Sequence, residues 1–400
     1  MTTATGAGSQ EGRALSASDI LENARAVAAS VQERDLAREY DRLRQLPVDI
    51  VEDVRRAGIM RMNMPRIWGG PEMTSMEQVE VIEALARADA SIAWCSFIWT
   101  DSGIYSGYLE DSVAREMYPD LDMATSGWIY PVAAANRVDG GFRVSGRWIF
   151  GSGSSHCDWL AAGCVVFEDG ELVIDPRSGR PKWRILLAPR DEYEILDTWY
   201  TTGLRGTGSN DYQCEDLFVP EERTFSFLEP AKREGTIWSR PDHLLRKMAG
   251  IPLGVAADAI DTAREMLREK GDRVTGVLYR DMPRVQSAVA DACAMLGSAR
   301  SYVFTSLERQ WKKLEAGDEL TVEERADVWL SRTNAFQTGR QIVADLYDTI
   351  GGSAVYSDKS PFDRHLRDMQ TACQHIVGQK KPLEGVGSLL LGGDDAHPLI

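Results

Sequence analysis

The chain has 400 residues, which at roughly 150 residues per domain leaves room for two or three domains. Its formal charge of −16 makes it a poor candidate for wrapping nucleic acid or lying on an anionic membrane, because both need a clustered positive field. The 43% apolar and 26% charged shares match ordinary globular usage, and the longest apolar runs, such as Leu160–Phe167, are far shorter than the ~20 residues that span a bilayer.

Residues 1–15 are small and polar, with no basic start followed by an apolar stretch. They read as a disordered tail, not a secretory leader. From 16 to 121 the pattern is helical. Pro47 suits a first helical position, Ile50, Val51 and Val54 share a face, and Gly58 suits a stop. A loop from Ile59 to Gly70 follows, and helical spacing resumes at Met76–Ala86 and Ser91–Tyr108. From 122 to 235 the chain reads as a compact β domain. Ala133–Val138 and Phe142–Ser145 flank an Asp139-Gly140-Gly141 turn as a hairpin, and Trp159–Phe167, Trp183–Ala188 and Cys214–Pro220 are further short strands. From 236 to 400 four long helical segments, about 243–270, 284–316, 322–350 and 361–378, predict an antiparallel four-helix bundle. The fold class is therefore α+β, mostly helical.

The six cysteines (95, 157, 164, 214, 293, 373) form no C-x-x-C pair, which argues for a reducing cytoplasm and against disulfides or zinc ribbons. His156 and Cys157 adjoin, but no second ligand pair follows, so no metal is expected. There is no G-x-G-x-x-G after a strand and no P-loop.

Three segments carry a resemblance. The first runs Gly146-Arg147-Trp148-Ile149-Phe150-Gly151-Ser152-Gly153, then Ser154 to Trp159. The second is Gly203-Leu204-Arg205-Gly206-Thr207-Gly208-Ser209-Asn210-Asp211, leading to Phe218-Val219-Pro220. The third is Gly351-Gly352-Ser353-Ala354, then Arg367-Asp368 and Gln374-His375. In this order the chain resembles the acyl-CoA dehydrogenase fold from about residue 20 to 390, and in detail its flavin-dependent monooxygenase branch. Members of that branch receive reduced flavin from a separate reductase.

The resemblance implies reduced FMN or FAD as cofactor, O2 as co-substrate and a separate NAD(P)H-dependent flavin reductase. It also implies a homotetramer packed through its bundles. Oxygen would pass through a C4a-hydroperoxyflavin to a small substrate, hydroxylated or N-oxidised. The tryptophans suggest that this substrate is aromatic or polycyclic.

Ser152 is the expected donor at flavin N5, at a strand end whose glycines let a flat ring approach. Trp94, Ser126, Phe150 and Gly153 are expected beside the flavin. Arg273, from a neighbouring subunit, and the Gly351-Gly352 turn are expected to hold it as well. His375, placed two turns after Asp368 on one helix, is the expected proton manager. Trp99, Trp128 and Gln370 are expected to line the substrate pocket. Gln370 and Ser102 stand where relatives carry histidines. Arg205 reads as structural, Ser209 and Asn210 as minor candidates, and His243 and His365 as surface residues.

Two alternatives remain. One is a dehydrogenase of coenzyme A thioesters, disfavoured because Met369–Gln379 contains no carboxylate base. The other is a non-catalytic flavin- or ligand-binding homologue, favoured by Gln370 and Ser102.

Overall fold

The computed structural model describes residues 14–176 and 179–393, so the expected N-terminal tail lies almost wholly outside the described residues. Seven helices come first: α1 (Ala17–Glu33), α2 (Ala37–Leu43), α3 (Val48–Arg56), α4 (Ser75–Ala86), α5 (Ala90–Trp99), α6 (Asp101–Ser106) and α7 (Asp111–Met117). Capping boxes, Ser16 with Asp19 and Thr74 with Glu77, start α1 and α4 by satisfying otherwise orphaned N–H groups. Pro47 stands one position earlier than expected, capping α3 from outside. Helix α5 buries every residue except Ile98, as a helix through the middle of a core must.

The sheet comprises β1 (Thr125–Val138), β2 (Gly141–Gly151), β3 (Trp159–Glu168), β4 (Glu171–Leu172), β5 (Trp183–Pro189), β6 (Glu194–Leu196), β7 (Asn210–Pro220) and β8 (Thr224–Phe225). Their order is β6-β7-β2-β1-β3-β5-β8, with β4 beside β3. The expected hairpin is present with longer arms, closing at Val138 opposite Gly141 across a turn in which Gly140 has φ +75°. Pairing of β2 with β7 slips between Trp148 and Gly151. That slip releases Ile149 and Phe150 from the ladder and ends the strand in a turn that presents Ser152.

The helical remainder is α8 (His243–Arg246), α9 (Gly250–Glu269), α10 (Pro283–Glu315), α11 (Val322–Ile350), α12 (Phe362–Ala372) and α13 (Leu383–Leu390). The expected first bundle helix is broken by a 3₁₀ turn at Lys247–Ala249. The expected fourth one stops six residues early. Thr333 Oγ1 and Gln337 Nε2 of α11 bind the carbonyls of Val377 and Gly378, so residues 373–378 turn back on α11 and do not extend α12.

His243 and His365 are buried, contrary to the expectation of surface residues. Both face inward, His243 against the Trp311 ring and His365 with Nε2 3.1 Å from the Asp258 carboxylate. All six cysteines are free thiols. Among the described residues no helix is long and apolar enough to cross a membrane. No three His, Cys, Asp or Glu gather there as cation ligands.

Candidate active site

The turn after β2 is assembled from four directions. Ser152 N–H donates to Phe150 O at 2.8 Å, and Gly153 N–H donates to Thr207 O at 2.9 Å, which ties the turn to the 203–210 loop. From β1, Ser126 Oγ donates to Ser152 O at 2.5 Å. From α5, Trp99 Nε1 donates to Gly153 O at 3.2 Å. Gly153 has φ +70°, and a Cβ there would lie 2.5 Å from Trp99 Nε1, so glycine is required on both conformational and steric grounds.

The Ser152 hydroxyl sits in a directed relay. Thr207 Oγ1 donates its one proton to Leu204 O at 2.7 Å. It must therefore accept from Ser209 Oγ, also 2.7 Å away. Ser209 must in turn accept from Ser152 Oγ, at 2.7 Å. Trp94 Nε1 donates to Ser152 Oγ at 3.2 Å. Ser152 thus has its proton committed and one lone pair open. Within the chain the Ser152 hydroxyl therefore donates to Ser209 and keeps an acceptor position free, where the sequence reading expected a donor.

Trp94 meets the His375 ring edge-on, with centroids 5.5 Å apart. His375 lies in the turn beyond α12, so the same-helix argument that placed it fails, although the location near Trp94 holds. Its Nδ1 accepts the Val377 N–H at 3.4 Å, which puts the proton of the neutral ring on Nε2. Burial first, and the positive field of Arg332 second, push the imidazole from 6.5 down to about 4. At neutral pH His375 is therefore a hydrogen-bond donor and does not exchange protons readily.

The other expected residues divide into groups. Trp128 and Phe150 pack together at 5.7 Å. Phe150 is 50% exposed with φ +57°, and the buried Trp128 Nε1 has no hydrogen-bond partner among the described residues. Trp99 is 0% exposed and grips the backbone from behind, so it supports the turn instead of lining a pocket. Ser102 is also buried, bonded to Thr125 Oγ1 at 2.9 Å. Gln370 is exposed on α12. Lys270 Nζ donates to Ile350 O, which brings together the ends of α9 and α11 that precede Arg273 and Gly351-Gly352 in the chain. No hydrogen bond or ring contact among the described residues joins Gln370, Arg273, Gly351 or Gly352 to the Ser152 cluster.

Arg205 is structural, donating to Asp41 O and Thr201 O. Asn210 Oδ1 accepts from Thr198 and Trp199 N–H, shaping the loop. Sequence reasoning gave Thr207 and Arg332 no role and treated Ser209 lightly. A run of hydroxyls in Thr207-Gly208-Ser209 was the available signal for the relay.

A flavin fits these residues. An open Ser152 lone pair suits an N–H edge, the orphaned Trp128 indole N–H suits a carbonyl oxygen, and the half-exposed Phe150 ring suits a flat face.

Comparison with known proteins agrees. Residues 16–112 match the family model for the acyl-CoA dehydrogenase N-terminal domain, and residues 247–380 match that for the C-terminal domain. An indole-3-acetate monooxygenase of Pseudomonas putida is 30% identical over 90% of this chain and 91% of its own. A flavin-dependent monooxygenase of Rhodococcus jostii, oxygenase subunit HsaA, is 28% identical over 86% of this chain and 91% of its own. The crystal structure of the HsaA monooxygenase from M. tuberculosis superposes with a TM-score of 0.87 at 25% identity, covering 96% of this chain and 100% of that one.

Proposed function

The chain belongs to the acyl-CoA dehydrogenase superfamily, among its flavin-dependent monooxygenases, and from that premise we propose that it hydroxylates or N-oxidises a small aromatic or polycyclic substrate with reduced flavin made by a separate NAD(P)H-dependent reductase. The reaction balances as one oxygen atom into substrate and one into water, with two electrons and two protons. Bound and reduced, the flavin supplies those electrons to O2.

The observation that carries this reading is the polarity of Ser152. A hydroxyl whose proton is committed to Ser209 accepts the N5–H of reduced flavin but offers nothing to the bare N5 of oxidised flavin. Trp94 orients that hydroxyl. Trp128 gives its N–H to a flavin carbonyl or to the substrate. His375 holds a substrate or oxygen atom through Nε2–H, staying neutral so that it does not acidify N5. Phe150, Ser126 and Gly153 form the wall and backbone beside the ring. Arg273 and Gly351-Gly352 serve the flavin of an adjacent protomer in a homotetramer, and Gln370 borders the substrate entrance. FMN and FAD both suit these contacts, and the free thiols agree with a cytoplasmic setting.

The dehydrogenase reading needs a carboxylate base. The candidate beside the third segment, Asp368, is buried and accepts the Leu204 N–H at 2.6 Å, a linking role between bundle and loop.

Stopped-flow mixing of the reduced-flavin complex with O2 tests the proposal. A transient spectrum distinct from reduced and oxidised flavin is expected. Direct conversion to oxidised flavin with no transient, or anaerobic bleaching of bound flavin by an acyl-CoA, overturns it.

A further inference from the structure

The interior between α8, α9 and α11 carries more positive than negative charge. Arg332 of α11 is 1% exposed, and none of its Nε, Nη1 or Nη2 atoms has a hydrogen-bond partner among the described residues. Its guanidinium lies over the Trp329 ring, 4.4 Å from the centroid, which fixes its plane and leaves the donor edge free. The nearby carboxylate is Asp242, and both its oxygens are occupied. Oδ2 takes Arg246 Nε at 2.9 Å, while Oδ1 takes Arg246 Nη2 at 3.1 Å and Arg240 Nε at 3.1 Å. The next carboxylate, Asp101, is held by Lys247 at 2.7 Å. Among the described residues three fully buried cations, Arg246, Lys247 and Arg332, thus face these two carboxylates. A trapped water would satisfy N–H groups but not the charge, and an uncompensated buried charge is destabilising.

Arg332 is joined to the His375 region through its neighbour on α11. Thr333, the next residue, binds Val377 O, two residues from His375, whose ring meets Trp94 on Ser152. The positive field of Arg332 reaches the His375 imidazole.

We propose that Arg332 is the anion-recognition residue of the substrate pocket, so that the substrate is an aromatic compound carrying a carboxylate, held by a bidentate pair at the guanidinium edge. This rests on the monooxygenase reading for the identity of the pocket and extends it to the substrate's charge. A charge-assisted pair contributes about 1.5–3 kcal/mol, which is roughly 10- to 150-fold in affinity.

The test is a titration of the full-length protein with benzoate, phenylacetate and indole-3-acetate, each against its neutral amide, followed by tryptophan fluorescence. In the wild type at least one acid is expected to bind 10-fold or more tightly than its amide. Arg332→Met should bring that ratio near one and Arg332→Lys should restore part of it. Arg332→Met should also keep or raise the ligand-free melting temperature, which a purely structural arginine would not allow. Equal binding of acids and amides, no acid binding, or a preference that survives Arg332→Met overturns the assignment. If Arg332→Met fails to fold, Arg332→Gln carries the same comparison. The titrations need neither flavin nor turnover. A carboxylate preference without oxygen transfer would therefore sink the monooxygenase reading alone, and oxygen transfer with no such preference would sink the Arg332 assignment alone.

Discussion

The Ser152 relay and the Arg332 cluster are both buried polar groups, yet they are built on opposite principles. In the relay each hydroxyl proton has one destination, ending at the Leu204 carbonyl, and only one lone pair is left over. In the cluster the carboxylates are exhausted before the cations are. A closed network stabilises and orients, whereas an open one implies a missing participant. The two regions therefore respond oppositely to loss of a member.

The largest effect falls inside the cluster. Asp242→Asn leaves Arg246 buried without its counter-ion and should lower unfolding free energy by about 3–5 kcal/mol in urea, while Arg332→Met lowers it by nothing measurable. Equal losses would erase the distinction drawn here. Next comes Gly153→Ala, which drives a methyl into Trp99 and strains a positive φ. A loss of about 2 kcal/mol is expected, together with weakened flavin binding by fluorescence quenching.

A subtler change is Thr207→Val. It removes the acceptor that directs Ser209, so Ser152 is free to donate. The preference for reduced over oxidised flavin should fall about 10-fold, visible as a fall in the bound-flavin midpoint potential toward that of free flavin. An unchanged ratio means the relay has no direction.

The smallest effect concerns pH. The folded pKa of His375 is about 4, below the usual 6.5, so its neutral form is favoured by folding. That contribution is complete above pH 6.5 and is lost as pH falls through 4. Its ring proton signals should stay unshifted between pH 8 and 6. A midpoint near 6.5 would restore it to the role of proton carrier.

Much of this was legible in the residues. The apolar stripes of the long helices, the Asp139-Gly140-Gly141 hairpin and the small residues around Ser152 announced the layers and the turn. The stop of α12 was not, because it depends on Thr333 and Gln337 reaching across from another helix. The direction of the relay was hidden because a serine reads alike as donor or acceptor until its neighbours are known. Arg332 could have been noticed. It falls on the inward stripe of α11 with Trp329, Phe336, Gly339 and Val343, where a cation is out of place. His243 and His365 were misjudged because a histidine carries no burial preference strong enough to reveal which way it faces.

The link from Leu204 N–H to Asp368 spans 164 residues of chain. During synthesis the 203–208 loop emerges long before its anchor, by on the order of ten seconds at ribosomal rates. The anchor of the 203–208 loop at Leu204 is thus complete only after α12 has docked. A nascent or truncated chain lacking it would carry a correctly paired sheet and an immature catalytic centre, which makes the ability to engage reduced coenzyme a late checkpoint of biogenesis.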